Sequence, residues 1–167
     1  MAANMFVQIS DIEGDSPESK HDKWIIITGI NWNVARAVDM TDAGGSNQRG
    51  HANSNFGKIE LTSEFGKASP KLMLSVANGT VRPKIIIHQC RSGDNADEGL
   101  MPYLVWTIED VVIDSYSVSG SEDAVPTETW TLAYTKLTCE YSETDQTSMK
   151  LKKVNEFKWN LRTGKVG

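Results

Sequence analysis

"KWIIITGINWNV", residues 23–34, carries the strongest structural signal in the chain. At the period of two of an extended strand, Trp24, Ile26, Thr28, Ile30, Trp32 and Val34 share one face. Ile25, Ile27, Gly29, Asn31 and Asn33 share the other, which is apolar at the start and polar at the end. Such a strand begins covered on both sides and finishes with one side open.

Strand patterns continue on either side. "MFVQI" (5–9) precedes it, separated by the acidic turn "DIEGDSPESKHD" (11–22). Downstream lie "KIELTSEF" (58–65), "VRPKIIIHQCR" (81–91), "PYLVWTIEDVVIDSYSV" (102–118), "TETWTLAYTKLTCEY" (127–141) and "EFKWNLR" (156–162). In the last of these, Phe157, Trp159 and Leu161 alternate with Lys158, Asn160 and Arg162, and the apolar set is expected in the core. One helix is expected, over "SPKLMLSVANG" (69–79). Ser69 suits its N-cap and Pro70 its first turn, Leu72, Met73, Val76 and Ala77 form its apolar stripe, and Gly79 suits its left-handed end. Many strands with regular turns and a single helix predict a mainly β protein, a barrel or sandwich with the helix alongside.

The composition suits one domain. The chain has 167 residues, 39% hydrophobic and 23% charged, enough to bury a core without staples. A net charge of -5 argues against nucleic acid as a partner, because that contact is dominated by cations against phosphate. No segment has the apolar length of a bilayer span, and "MAANMFVQISDIEGD" lacks the basic and apolar regions of a signal peptide, so synthesis in the cytoplasm is expected. Cys90 and Cys139 form no CxxC pair and read as buried thiols in strands.

The segment "VDMTDAGGSNQRGHANSNFGK" (38–58) interrupts the strands with about twenty mostly polar residues. It fails as a phosphate loop. Six residues separate Gly50 from Gly57, Lys58 is followed by Ile59, and a strand rather than a helix comes next. Metal chemistry is no better supported: His21, His51 and His88 lie on a turn, the loop and a strand, and His88 with Cys90 lacks further ligands at suitable spacing. No GxSxG motif occurs. Glu109 and Asp110 point to opposite faces of a strand, and Asp114 reads as part of a solvated edge. The basic and aromatic "KLKKVNEFKWNLR" reads as a strand with opposite faces rather than a single-strand nucleic-acid platform. No catalytic residue, metal or cofactor is expected. Long strands with edges, and an extended arm, suit a subunit completed by assembly.

Three stretches in this order resemble the Hcp (haemolysin-coregulated protein) family of type VI secretion tube proteins: "MFVQISDIEGDSPESKHDKWIIITGINWNV" (5–34), "LTSEFGKASPKLMLSVANG" (61–79) and "FKWNLRTGKV" (157–166). The resemblance implies a β-barrel of two packed antiparallel sheets with one flanking helix, about 69–78, and a long extended loop, about 38–57. It implies six-membered rings with a wide channel, stacked into a tube that a contractile sheath propels. Sheath, VgrG-like tip and effector proteins are the implied partners, with effectors carried in the lumen. The subunit would reside in the bacterial cytoplasm before firing and outside the cell afterwards, and no toxin domain is expected after the closing strand. A phage tail-tube-like protein without a secreted role is the alternative. On this reading strand edges and the helix flank make the lateral contact. Asp39, Met40, Thr41, Asp42, Gln48, Arg49, His51, Asn53 and Phe56 are expected to reach an adjacent ring, and Asn31 and Asn33 to face the lumen.

Overall fold

The computed structural model describes residues 3–38, 54–93, 99–148 and 150–167. The apolar alternation of the sequence folds into antiparallel strands: β1 (Met5–Gln8), β2 (Ile25–Ile26), β3 (Gly29–Asn31), β4 (Val34–Arg36), β5 (Ser54–Phe56) and β6 (Ile59–Glu64). After the helix α1 (Ser69–Asn78) come β7 (Val81–Ser92), β8 (Leu100–Ser121), β9 (Ala124–Ala133), β10 (Lys136–Thr144) and β11 (Leu151–Asn160). The large sheet runs in the order β2-β1-β7-β8-β9-β6-β3, with β10 on β8 and β11 on β10, while β4 and β5 form a separate pair.

The stretch 23–34 is not one uninterrupted strand. Its first part pairs with β1, in the register Val7 with Ile25 and Phe6 with Ile26, and Ile27 N–H extends this to Met5 C=O at 3.1 Å. One residue later Thr28 N–H binds Thr62 C=O at 2.8 Å, and β3 continues along β6. No ladder joins β2 to β3, so the two ends of the sheet meet through the polypeptide itself. The handover also changes the inward face: Ile25 and Ile27 are buried, whereas beyond it Ile30 and Trp32 pack on the core. The open, polar end that the pattern predicts is present, since Asn31 and Asn33 are exposed.

The enclosed core joins Val7, Ile59, Leu61, Ile85, Ile108 and Trp130 with residues of every neighbouring strand, and Leu72 of α1 seals one side. Burying each such side chain stabilises the fold by roughly 1.5–3 kcal/mol. The polar groups around the buried Glu128 are paired. Trp130 Nε1–H donates to Ser63 Oγ at 3.1 Å, Ser63 donates to Glu128 at 2.6 Å, and Tyr116 donates to the other Glu128 oxygen at 2.5 Å. Burial first, then the neighbouring Glu128 carboxylate, pushes the Tyr116 phenol up, which keeps it a donor.

Helix α1 begins one residue earlier than its composition suggests. Ala68 occupies the N-cap, while Ser69 lies within the helix and its Oγ accepts from Gly66 N–H at 2.9 Å. Leu72 is buried and Val76 packs on the core, but Ala77 is exposed and Ser75 is turned inward. Ser75 is held there by Arg82, whose guanidinium donates to it at 2.6 Å and grips Asp11 at 2.8 and 2.9 Å.

The stretch 127–141 divides into β9 and β10 at Tyr134 and Thr135, opposite Asp110, a non-glycine residue at φ 52°. Both strands pair with β8, but β9 is flanked next by β6 and β10 by β11. The sheet therefore forks at Asp110. Phe157 and Trp159 lie on the projecting branch, outside the enclosed core, and the last strand extends back through Leu151.

Gly14 lies under the chain at 24–25, where a Cβ would meet Trp24 O at 2.3 Å and Ile25 Cα at 2.5 Å. Those are backbone atoms, so Gly14→Ala is expected to destabilise the protein by roughly 3 kcal/mol or more. Gly79 has φ 66° but open space around it, and Gly79→Ala is expected to cost about 1 kcal/mol. Urea unfolding midpoints of the two variants check the order.

Candidate assembly surface

The strands β4 and β5 bring the two sides of the arm together, with Val34 opposite Phe56 and Arg36 opposite Ser54. Of the residues expected to reach an adjacent ring, Asp39, Met40, Thr41, Asp42, Gln48, Arg49, His51 and Asn53 lie outside the described residues. Phe56 is described, and it packs within its own chain. Its ring stacks on Trp159 at 5.6 Å and lies 6.3 Å from Trp32 and 6.4 Å from Phe157. A hydrogen-bond relay fixes the same point: Trp32 Nε1–H donates to Tyr134 Oη at 2.7 Å, and Tyr134 donates to Gly57 C=O at 2.8 Å. Gly57 N–H in turn donates to Asn33 C=O at 2.9 Å. The arm therefore has an aromatic root joined to β11. Beside it a cleft of about 510 Å³ is lined by Arg36, Ser54, Phe56, Trp159 and Arg162.

The branch beyond the fork ends in β11, ten residues long, which among the described strands pairs only with β10, while its last residue Asn160 bonds the turn at Gly164 and Lys165. Its other edge leaves backbone N–H and C=O groups available for another strand. Val154 and Phe157 are exposed along it, as is Tyr141 on β10. Lys153 bridges Glu140 at 3.2 Å and Glu156 at 2.5 Å, and Lys158 lies 3.3 Å from Glu156. Such exposed pairs add little stability, and they discourage indiscriminate edge pairing. On another surface Leu74 of α1 and Val81 at the start of β7 are 60% and 64% exposed, a second apolar flank.

The carboxylates noted in the sequence do not converge on a reactive centre. Glu109 lies 3.9 Å from Lys136, and Asp114 is bound by Lys58 and Thr131. Burial raises the Asp114 pKa, but those two donors outweigh it and the group sits below its usual range.

Sequence spacing gives no hint that His21 and His88 meet, yet the fold brings them together from 67 residues apart. His21 Nε2 lies 2.9 Å from His88 Nδ1 and 3.7 Å from Cys90 Sγ, and His21 Nδ1 lies 2.5 Å from Glu18. Phe6 stacks on His21 at 4.5 Å, and Trp24 closes on both imidazoles at 4.8 Å. A Cys–His–Glu sequence of contacts resembles a nucleophile and its base, but burial pushes the Cys90 thiol up to about 12. A thiol in that state is a poor nucleophile. Among the described residues no three His, Cys, Asp or Glu side chains are arranged to hold a metal. The cluster is a small second core on the outer face of β1 and β7.

Both cysteines are free, Cys90 buried and Cys139 half-buried, and burial raises both thiols. Alkylation of the folded protein at neutral pH is expected to leave both largely unmodified, and denaturant to make both reactive at once. Rapid labelling of native Cys90, followed by mass spectrometry, would refute the inert assignment.

The chain matches the family model described as "Type VI secretion system effector, Hcp" over residues 6–141. It is 27% identical to the Hcp1 protein of Pseudomonas aeruginosa over 164 residues, covering 97% of each chain. A solved type six secretion system protein shares 26% identity and superposes with a TM-score of 0.86 over 98% of this chain and 99% of that one. Hcp1 from Salmonella typhimurium, at 22% identity, has the same fold, with a TM-score of 0.75 over 99% of both chains. The mainly β architecture with one flanking helix, expected from the strand pattern, is thus the architecture of these relatives, and the chain belongs to the Hcp family of the type VI secretion system.

Proposed function

We propose that the protein is a structural subunit of the type VI secretion inner tube, working as stacked six-membered rings, released by the apparatus and carrying effectors in its lumen. Family membership across most of the chain is the observation that carries this reading. The geometry supports it with two unlike surfaces, the β11 edge and the flank formed by Leu74 and Val81. A closed ring requires such a heterologous pair, because each subunit presents one surface to the neighbour on its left and another to the right.

In this assembly the 38–57 arm reaches the next ring from its aromatic root, with Phe56 fixing the base rather than the tip. Asn31 and Asn33 face the lumen, where polar side chains let a cargo pass without firm apolar adhesion. Sheath, tip and effector proteins are the partners, and the chain does no chemistry. An arm that orders on docking spends conformational entropy at that moment, which keeps each axial contact weak enough to be undone.

Native mass measurement with negative-stain imaging tests the ring. Six-fold closed particles are expected, and a strict monomer at high concentration would sink the proposal. Deleting residues 42–54 is expected to leave rings intact and weaken their stacking. Loss of soluble folded protein on that deletion would instead assign the arm to the core.

A further inference from the structure

The segment 14–24 lies as a strap over the outer face of β1 and β7. Backbone bonds close it on itself, Gly14 N–H to Lys23 C=O at 2.8 Å and Lys23 N–H to Ser16 C=O at 2.9 Å. Its attachment to β7 is made by imidazoles. His21, 1% exposed, inserts beside Phe6 and meets His88 across a gap of 2.9 Å between ring nitrogens.

We propose that this strap is an acid-released latch, fastened while the His21–His88 gap holds a single proton and opened when both rings are protonated. A contact of 2.9 Å between two nitrogens is a hydrogen bond only when one of them carries hydrogen. Either His21 donates to His88 Nδ1, or His88 donates to His21 Nε2; both arrangements leave one hydrogen in the gap. When both rings are protonated, two N–H groups stand head to head and two cations side by side. His88 is fixed on β7, so relief comes by withdrawing His21 with the strap.

Among the described residues the pair has one counter-charge, not two. Glu18, on the strap, is among the described residues the one carboxylate hydrogen-bonded to the pair, and it already faces His21 Nδ1. Lys20 adds positive charge on the same segment and reaches Met101 Sδ of β8 at 3.1 Å. From β7, Cys90 faces His21 Nε2 as a neutral thiol, its pKa pushed up to about 12 by burial. Phe6 of β1 and the strap's own Trp24 bring only aromatic faces.

The sign follows from His88. Burial first, and then His21, lowers its pKa from 6.5 to about 4, so the folded state favours the neutral ring. The stabilisation is complete above pH 6.5 and is lost as the pH falls toward about 4. Glu18 loses its charge in the acid range as well. Burial raises its pKa, but the bond to His21 and the backbone N–H of Lys20 bring it below the usual value, so its anion persists through most of that window.

Hydrogen exchange of the full chain, read by mass spectrometry and corrected for intrinsic rates, tests the latch. Protection of 14–24 is expected to fall roughly tenfold or more across that window, while β6 (59–64) keeps its protection. His88→Asn retains an acceptor oxygen near the Nδ1 position and cannot take a second proton, so the strap is expected to stay protected in acid. Glu18→Gln removes the carboxylate and is expected to move opening to higher pH. The proposal is overturned if wild-type 14–24 stays protected to pH 4, if it opens only together with 59–64, or if His88→Asn opens at the wild-type pH. Should the variants not fold, the comparison of 14–24 with 59–64 in the wild type decides.

Discussion

Ile27 N–H and Thr28 N–H point to opposite sides of one extended chain, and the first binds Met5 C=O while the second binds Thr62 C=O. Those two bonds set the plan of the molecule. They hold β1 and β6, each next to one end of the long sheet path, against the same stretch of polypeptide, so the sheet wraps around Trp130 and its aliphatic neighbours. A join made by covalent backbone has no edge to protect at that point. It also sets register, because slipping β3 on β6 by one residue would turn Ile30 out and Asn31 in.

Beside that enclosure lie smaller apolar sites with different tasks. Phe6, His21, Trp24 and His88 fasten the strap to β1 and β7. Trp32, Phe56, Phe157 and Trp159 fasten the arm root to β11. In both sites a polar atom is embedded among rings, an imidazole in one and the Tyr134 hydroxyl in the other. Buried hydrogen bonds of that kind specify one arrangement, since leaving either partner unpaired costs about 1–3 kcal/mol. The buried Glu128 inside the sheet follows the same rule with hydroxyl donors from Ser63 and Tyr116.

The strand pattern was legible because burial on a pleated surface writes itself into alternate residues, as at Trp130 and Leu132 or Ile85 and Ile87. Gly79 marked the helix end for an equally local reason, its left-handed backbone. What escaped reading is what depends on distant neighbours. The change of inward face after Ile27 follows from the exchange of β1 for β6, which no window of residues contains. Phe157 and Trp159 alternate like core residues, yet the partners that cover them are Phe56 and Trp32, about a hundred positions earlier. His21 and His88 looked unrelated for the same reason. The candidate assembly surface was legible only in outline: exposed Asn31 and Asn33 follow from the alternation, whereas the role of Phe56 at the root required the fold.

The fork at Asp110 has a mechanical consequence. Strand β8 runs 22 residues without interruption, its C-terminal part in the enclosing wall and its N-terminal part in the projecting branch. Force applied to β11 therefore travels through β10 into a long strand that is clamped by β7 along Leu100–Val112 and by β9 along Val112–Ser121. The hydrogen bonds along that clamp are loaded in shear, many at once, rather than peeled singly. A push on the branch is thus carried through β8 into the enclosing sheet rather than absorbed by the branch alone.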